Sequence, residues 1–262
     1  MLHILTLSWN GIDKLKALKP GLEKNLEVLN MDYIWHIRDN GSKDNTLEET
    51  KSWNAKVYDI GNNKSNFSEG MNWLFNMAEP EDEDLILLLN NDIIFTRNSC
   101  INNMVNIIEN FKNIGMVGTK MMYPNTNIIQ HFGVVFLKKY NYLPYHYIHK
   151  QIENEKCKYD REFQAVTAAC ALTRAKYYKK ICQTNKSGNY GLDENYFWCF
   201  EDIDACLSIK YNMGLRIVCS SQDGVFHEES STLKKNPVNH LMMPQNVKYF
   251  KNKWFGKYTI DK

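Results

Sequence analysis

The chain has 262 residues, enough for one large α/β core or two small domains. Hydrophobic residues make up 44% and charged residues 24%, an ordinary globular composition, and the net charge of +2 gives no electrostatic footprint for nucleic acid. Seven cysteines with no CxxC pair and no regular spacing, behind an N-terminus without a basic leader, predict reduced thiols in a cytoplasmic setting.

Leu2 to Leu7 reads as a buried strand that ends in a turn at Trp9-Asn10-Gly11. From Asp13 to Leu29, Leu15, Leu18, Leu22, Leu26 and Leu29 recur at spacings of three and four, a helical stripe. Pro20-Gly21 inside it predicts a kink or a restart. A second strand covers Tyr33 to Arg38 and runs into Asp39-Asn40-Gly41-Ser42, a sharp turn that can also cap a helix. A short strand follows at Lys56 to Ile60. A polar loop then leads to a helix at about Gly70 to Met77.

Asp84 to Arg97 reads DLILLLNNDIIFTR. The unbroken run Leu85 to Leu89 is the pattern of a strand buried on both faces, and Asn90, Asn91 and Asp92 arrive at its end. A plain polar turn would use the same residues. The order of strand, helix, strand, helix, strand, helix, strand predicts parallel strands with crossover helices. In such sheets ligands bind beyond the carboxyl ends of the strands. Ser8 to Asn10, Asp39 to Ser42 and Asn90 to Asp92 would then line one edge, which points to a nucleotide site.

After Asn98 the pattern predicts a helix with Ile101, Met104, Val105 and Ile108, then a strand at Met116 to Met122. Ile128 to Leu137, broken by Gln130-His131 and Gly133, reads as a hairpin arm. Tyr140 to Tyr159, with five Tyr and two His, reads as a surface hairpin or a sugar-contacting loop. Ala165 to Thr173 reads as a close-packed strand, Arg174 to Cys182 as a helix, and Leu215 to Cys219 as the final strand. Glu201 and Asp202 stand where a helix should begin, so capping explains one or two carboxylates. It does not explain Asp193, Glu194, Glu201, Asp202 and Asp204 within twelve positions. His227 follows apolar Val225-Phe226. The tail from Asn236, with Phe250, Trp254, Phe255 and Tyr258, suits packing on the domain, pairing in a homodimer, or contact with a membrane surface.

Four blocks in order resemble the inverting glycosyltransferases of family 2, which have the A-type (GT-A) fold. They are Asp39 to Thr46, Asn66 to Asn72, Asn90-Asn91-Asp92, and Gly191 to Asp204 with His227 downstream. The resemblance covers Leu2 to Ser231. It implies an α/β fold with a mixed, mostly parallel central sheet flanked by helices. It also implies a GT-A domain over 1–231, with a nucleotide-binding half at 1–97, an acceptor-binding half at 98–231, and a tail at 232–262. In two places the chain departs from the family pattern. Asn66 replaces a glycine, and a left-handed Asn there would preserve the loop. Asn90 replaces the first acid of the DXD-type motif, as in the rhamnosyltransferase-like subfamily.

The resemblance implies sugar transfer from a UDP or dTDP sugar to a hydroxyl of a glycan, lipid-linked or protein acceptor, in surface polysaccharide or glycoconjugate assembly. The setting is cytoplasmic or at the inner face of the membrane. By resemblance Asp202 is the base and Glu201 a neighbour that orients acceptor or base, or the two roles are exchanged. Asp92 and His227 hold Mn or Mg. Leu7, Trp9, Asp39, Asn72, Asn90 and Asn91 surround the nucleotide, and Asp193 and Trp198 wall the acceptor or donor sugar. One alternative is a degenerate GT-A domain that binds a nucleotide sugar or a protein partner, with Asn90 in its favour. A nucleotidyltransferase is disfavoured, because Ser8 to Gly11 lacks a glycine-rich basic loop.

Overall fold

A computed structural model describes residues 1–61, 65–197, 199–228 and 238–261, with 238–242 described by backbone alone. The chain opens with β1 (Leu2–Ser8), α1 (Ile12–Glu27), β2 (Tyr33–Asp39), α2 (Thr46–Thr50), β3 (Lys56–Asp59), α3 (Phe67–Ala78), β4 (Leu85–Leu89) and β5 (Ile93–Phe95). It continues with α4 (Cys100–Asn110), β6 (Ile114–Thr119), β7 (Met121–Met122), β8 (Ile129–His131), β9 (Val134–Phe136), β10 (Pro144–His146), β11 (Arg161–Phe163) and β12 (Cys170–Arg174). The last elements are α5 (Ala175–Tyr178), α6 (Glu201–Leu207), β13 (Arg216–Ser220), β14 (Val225–His227) and α7 (Val238–Trp254).

The main sheet has eight strands in the order β11-β13-β6-β12-β4-β1-β2-β3. β3, β2, β1 and β4 run parallel, as the strand–helix alternation predicts. β12 is antiparallel to β4 and β6, which makes the sheet mixed. The apolar run of β4 divides between two cores. Leu85, Leu87 and Leu89 pack with α1 and α4, while Ile86 and Leu88 pack with α3 and α6. Each such fully buried side chain stabilises the fold by about 1.5–3 kcal/mol relative to exposure.

α1 continues through Pro20-Gly21 without a restart. Gly21 serves packing: a Cβ there would stand 2.4 Å from the Phe95 carbonyl oxygen, so only glycine lets α1 approach β5 this closely. Asn66 is not left-handed, since its φ is −73° and its ψ 176°. It is the N-cap of α3 in a capping box: its side chain accepts from the Glu69 amide at 2.8 Å, and its own amide donates to Glu69 Oε2 at 2.9 Å. That box starts the helix at Phe67, earlier than the apolar pattern suggests.

The second half departs further from the sequence reading. Met116 to Met122 breaks at Lys120, so β6 stays in the main sheet and β7 joins a small sheet ordered β5-β14-β7-β8. The predicted strand Ala165 to Thr173 is regular only in β12, and the helix after it shrinks to α5. β13 is not the final strand, because β14 follows and pairs antiparallel with β5, placing His227 opposite Ile93. α7 packs on the domain: Phe250, Trp254 and Tyr258 are buried in the core shared by α3 and α6. Among the described residues no helix is long and apolar enough to cross a membrane.

Candidate active site

Parallel pairing brings the ends of β1 and β2 together, with Ser8 opposite Asp39. Both are nearly fully buried. The Asp39 carboxylate accepts from the Ser42 amide at 2.9 Å and from the Ser42 hydroxyl, which closes the turn. Asn10 staples this turn to the end of β1: its amide donates to Ser42 Oγ at 2.8 Å, and its side chain accepts from the Lys43 amide at 2.6 Å. A Cβ at Gly11 would lie 2.6 Å from Asn91 Nδ2 and 2.9 Å from Ser8 Oγ, so a side chain there would displace both polar ends. Leu7 packs under Gly70 of α3, and Trp9 stands on the rim, 55% exposed. Asn40 Oδ1, next to Asp39, is buried without a hydrogen-bond partner among the described residues. An orphaned acceptor at a ligand edge suits a donor group of the ligand.

The second corner lies just beyond β4. Asp92 Oδ1 is 3.1 Å from His227 Nε2, and Asp92 Oδ2 is 3.4 Å from Lys14 Nζ on α1. Burial pushes the Asp92 carboxyl up, but the His227 hydrogen bond and the charges of His227 and Lys14 outweigh it and hold the group below the usual range. Gln130 orients the imidazole. Its Nε2 donates to the His227 carbonyl at 3.0 Å, so its Oε1 accepts from His227 Nδ1 at 2.7 Å. Nδ1 is thereby engaged by Gln130, and Nε2 is the ring nitrogen that faces Asp92. This is the arrangement of a histidine metal ligand with its outer-shell partner. Among the described residues no third Cys, His, Asp or Glu joins the pair. The donors therefore fit a divalent cation whose remaining positions come from ligand oxygens or water.

A cavity of about 400 Å³ holds both Glu201 and Asp202, with Asn90, Tyr145, His146 and Met243 also on its walls. Burial first, and the neighbouring Asp202 second, push the Glu201 carboxyl up to about 8. Its Oε2 is buried with no hydrogen-bond partner among the described residues. Burial also raises Asp202, but its charge is favoured by hydrogen bonds from the Thr167 side chain and from the amides of Ile203 at 2.8 Å and Ala168 at 3.3 Å. Of the two, Glu201 is driven harder towards the protonated form, and Asp202 is the one whose surroundings favour the charge. Ordinary capping does not account for the pair. The N-cap is Phe200, and no side chain caps the helix.

Two predicted site residues have other roles. Asn72 is fully buried, and all four of its side-chain hydrogen-bond positions are taken. Nδ2 donates to the Leu192 carbonyl at 2.8 Å and to Glu194 at 3.0 Å, while Oδ1 accepts from the Tyr178 hydroxyl at 2.9 Å and the Leu192 amide at 2.8 Å. It clamps the acidic loop and has no capacity left for a nucleotide. Asp193 is 2% exposed and ion-paired with Lys253 at 2.7 Å, so it anchors α7 and does not wall the acceptor. Trp198 lies outside the described residues. Gln130, Lys14, Tyr145 and His146 were not singled out from the sequence. The only signal for Gln130 was the polar pair that interrupts the apolar run 128–137.

The family model described as Glycosyl transferase family 2 matches residues 15–182. The O-antigen biosynthesis protein RfbC of Myxococcus xanthus is 26% identical over 172 residues, which is 64% of this chain and 12% of RfbC. This chain therefore corresponds to a small part of that relative. Among solved structures, the mannosyltransferase PcManGT from Pyrobaculum calidifontis, in complex with GDP-Man and Mn2+, superposes with a TM-score of 0.63 at 10% identity, over 99% of this chain and 65% of its own. S. aureus TarS 1–349 in complex with UDP-GlcNAc superposes with a TM-score of 0.57 at 13% identity, over 96% of this chain and 66% of its own. At these identities the likeness shows the fold, which is GT-A.

Proposed function

The chain belongs to glycosyl transferase family 2, and from that premise we propose that it is an inverting transferase moving a sugar from a UDP or dTDP sugar to a hydroxyl acceptor. The observation that carries this reading is the shared cavity. Asn90, two residues before Asp92 in sequence, lines the same space as Glu201 and Asp202. A donor held at the β1–β2–β4 edge would thus present its sugar towards the acid pair.

Asp202 takes the proton of the acceptor hydroxyl as the oxygen attacks the anomeric carbon. The bond from that carbon to the diphosphate breaks on the opposite face, and the electron pair leaves with the nucleoside diphosphate, so the configuration inverts. Asp92 and His227 would hold a divalent cation, Mn or Mg, which supplies charge neutralisation for the diphosphate. Protonated Glu201 keeps a second negative charge away from Asp202, so that one carboxylate acts as base. Asp39 and the backbone of Leu7 to Trp9 flank the nucleobase, and Asn91 lies towards the phosphates. The acceptor is a glycan, free or lipid-linked, or a protein, in surface polysaccharide assembly at the cytoplasmic face of the membrane.

The degenerate-domain reading draws on Asn90 and on the two-residue metal corner. Against it stands the acid pair. A buried carboxyl oxygen without a partner destabilises the fold, and such groups persist where function requires them. A panel of nucleotide sugars with Mn, Mg or chelator separates the two readings. Metal-dependent binding with slow nucleotide release supports transfer. Binding that never yields free nucleotide, with any acceptor class, supports the degenerate domain.

A further inference from the structure

Helix α7 grips the segment Asp193 to Asp204 at three points. At its start, Lys253 Nζ lies 2.7 Å from Asp193 Oδ2, and the Tyr249 hydroxyl donates to the same oxygen at 2.9 Å. At its end, Lys253 reaches Asp204 at 2.8 Å and Trp254 Nε1 donates to Asp204 at 2.6 Å. In the middle, Asn246 accepts from the Phe197 amide at 3.4 Å and donates to the Cys199 carbonyl at 3.3 Å. Asn246 is 2% exposed.

The middle grip falls on a strained corner. Cys199 has φ 63° and Phe200 φ 75°, two consecutive non-glycine residues in the left-handed region. Such conformations persist only where the surroundings over-determine them, and they cluster at working sites. The next two residues are Glu201 and Asp202. With no side-chain cap on α6, the corner sets the direction from which both carboxyls enter the cavity.

We propose that Asn246 is a positioning residue for the Glu201–Asp202 pair, and that α7 is thereby part of the catalytic cavity. α7 also contributes Met243 to the cavity wall. The proposal rests on the reading that this pair performs the transfer. It places a functional element outside residues 15–182, where the family model matches. Asp193 and Asp204 secure the ends of the segment, so Asn246 acts on geometry between two points that are already fixed.

The test uses the full chain with Asn246→Ala. The expected fall in kcat is about 10- to 100-fold, the scale of a small misplacement of reacting groups, with donor affinity by calorimetry unchanged. Adding Cys199→Gly to that variant recovers much of the loss, because glycine takes a positive φ without strain. A general loss of packing would not be relieved in this way. A carbon-13 titration of the carboxyls, with Glu201→Gln as the assignment control, reads the corner without turnover. The Glu201 midpoint, near 8 in the native chain, moves to lower pH in Asn246→Ala as water enters. The titratable groups around it are Asp202 and Asp204 on α6, Cys199 before it, and Tyr145 and His146 on the cavity walls. An unchanged kcat, or a fall that Cys199→Gly does not relieve, overturns the proposal. If the native chain turns over no donor, the transfer reading fails by itself. The titration then decides alone: a shifted midpoint supports the positioning role and an unmoved one overturns it.

Discussion

The two ends of the active site are built in opposite ways. At the donor end, the turn around Asp39 is held by residues close to it in sequence or on the adjacent strand. Asp39 is closed by Ser42, Asp44 accepts from Thr46, and Asn10 reaches across from the end of β1. At the acid end, the supports come from far along the chain. Asp193 and Asp204 are held by Lys253, and the strained corner by Asn246. The donor end is a set of turns on a parallel sheet. The acid end is a junction of segments that meet only in the finished fold.

This contrast predicts that acid-end substitutions disturb catalysis or stability, while donor-end substitutions disturb binding alone. The largest effect is expected from Asp202→Asn, a loss of turnover of about 100- to 10,000-fold with donor binding intact, measured by nucleotide release and calorimetry. Wild-type rates in that variant would remove Asp202 as the base. Lys253→Met leaves two buried carboxylates without their cation and should cost on the order of 3–5 kcal/mol in urea unfolding. A smaller loss would mean that Tyr249, Trp254 and Tyr196 carry the charge of the two acids between them.

Gln130→Leu frees the His227 ring and should weaken Mn affinity by about 10- to 100-fold. The same variant should leave metal-independent nucleotide binding unchanged. Glu201 supplies a pH test. Its folded-state value, about 8, lies above the ordinary 4.5, so the folded protein holds a proton that the unfolded chain has released. Stability should therefore fall as pH rises from about 4.5 to about 8 and change little beyond. Glu201→Gln should remove that slope, raising Tm by on the order of 10 °C at pH 9 and by much less at pH 5. Equal shifts at both pH values would show that Glu201 does not titrate in this window. The smallest effect on stability is expected from Trp9→Ala, within about 0.5 kcal/mol, because the ring is mostly exposed. A change in donor affinity without a change in Tm would place Trp9 on the nucleotide.

The same contrast explains what the sequence disclosed. β1 to β4 and their helices follow from local periodicity and turn chemistry, and the three polar strand ends converge as parallel pairing requires. Asp92 and His227 meet because β14 pairs with β5, a strand too short to be read from pattern alone. Asp193 looked like a site residue because no local role needs it. Its partner stands 60 positions downstream. The resemblance put Asn72 at the nucleotide, while its partners Tyr178, Leu192 and Glu194 lie more than a hundred positions away. No spacing rule encodes such contacts. The C-terminal helix fell short of recognition because Pro244 interrupts it and its apolar residues do not form a single stripe.

The grip of α7 on the acid loop also bears on the order in which the protein comes into being on the ribosome. Chains emerge N-terminus first as they are made. The strands that carry Ser8, Asp39 and Asp92 leave the ribosome long before Asn246 and Lys253. His227, which meets Asp92, also leaves later, so the partner of Asp92 and the holder of the left-handed corner are both late arrivals. The supports of the acid pair are therefore the last to be made, and the left-handed corner can be held only once α7 is available.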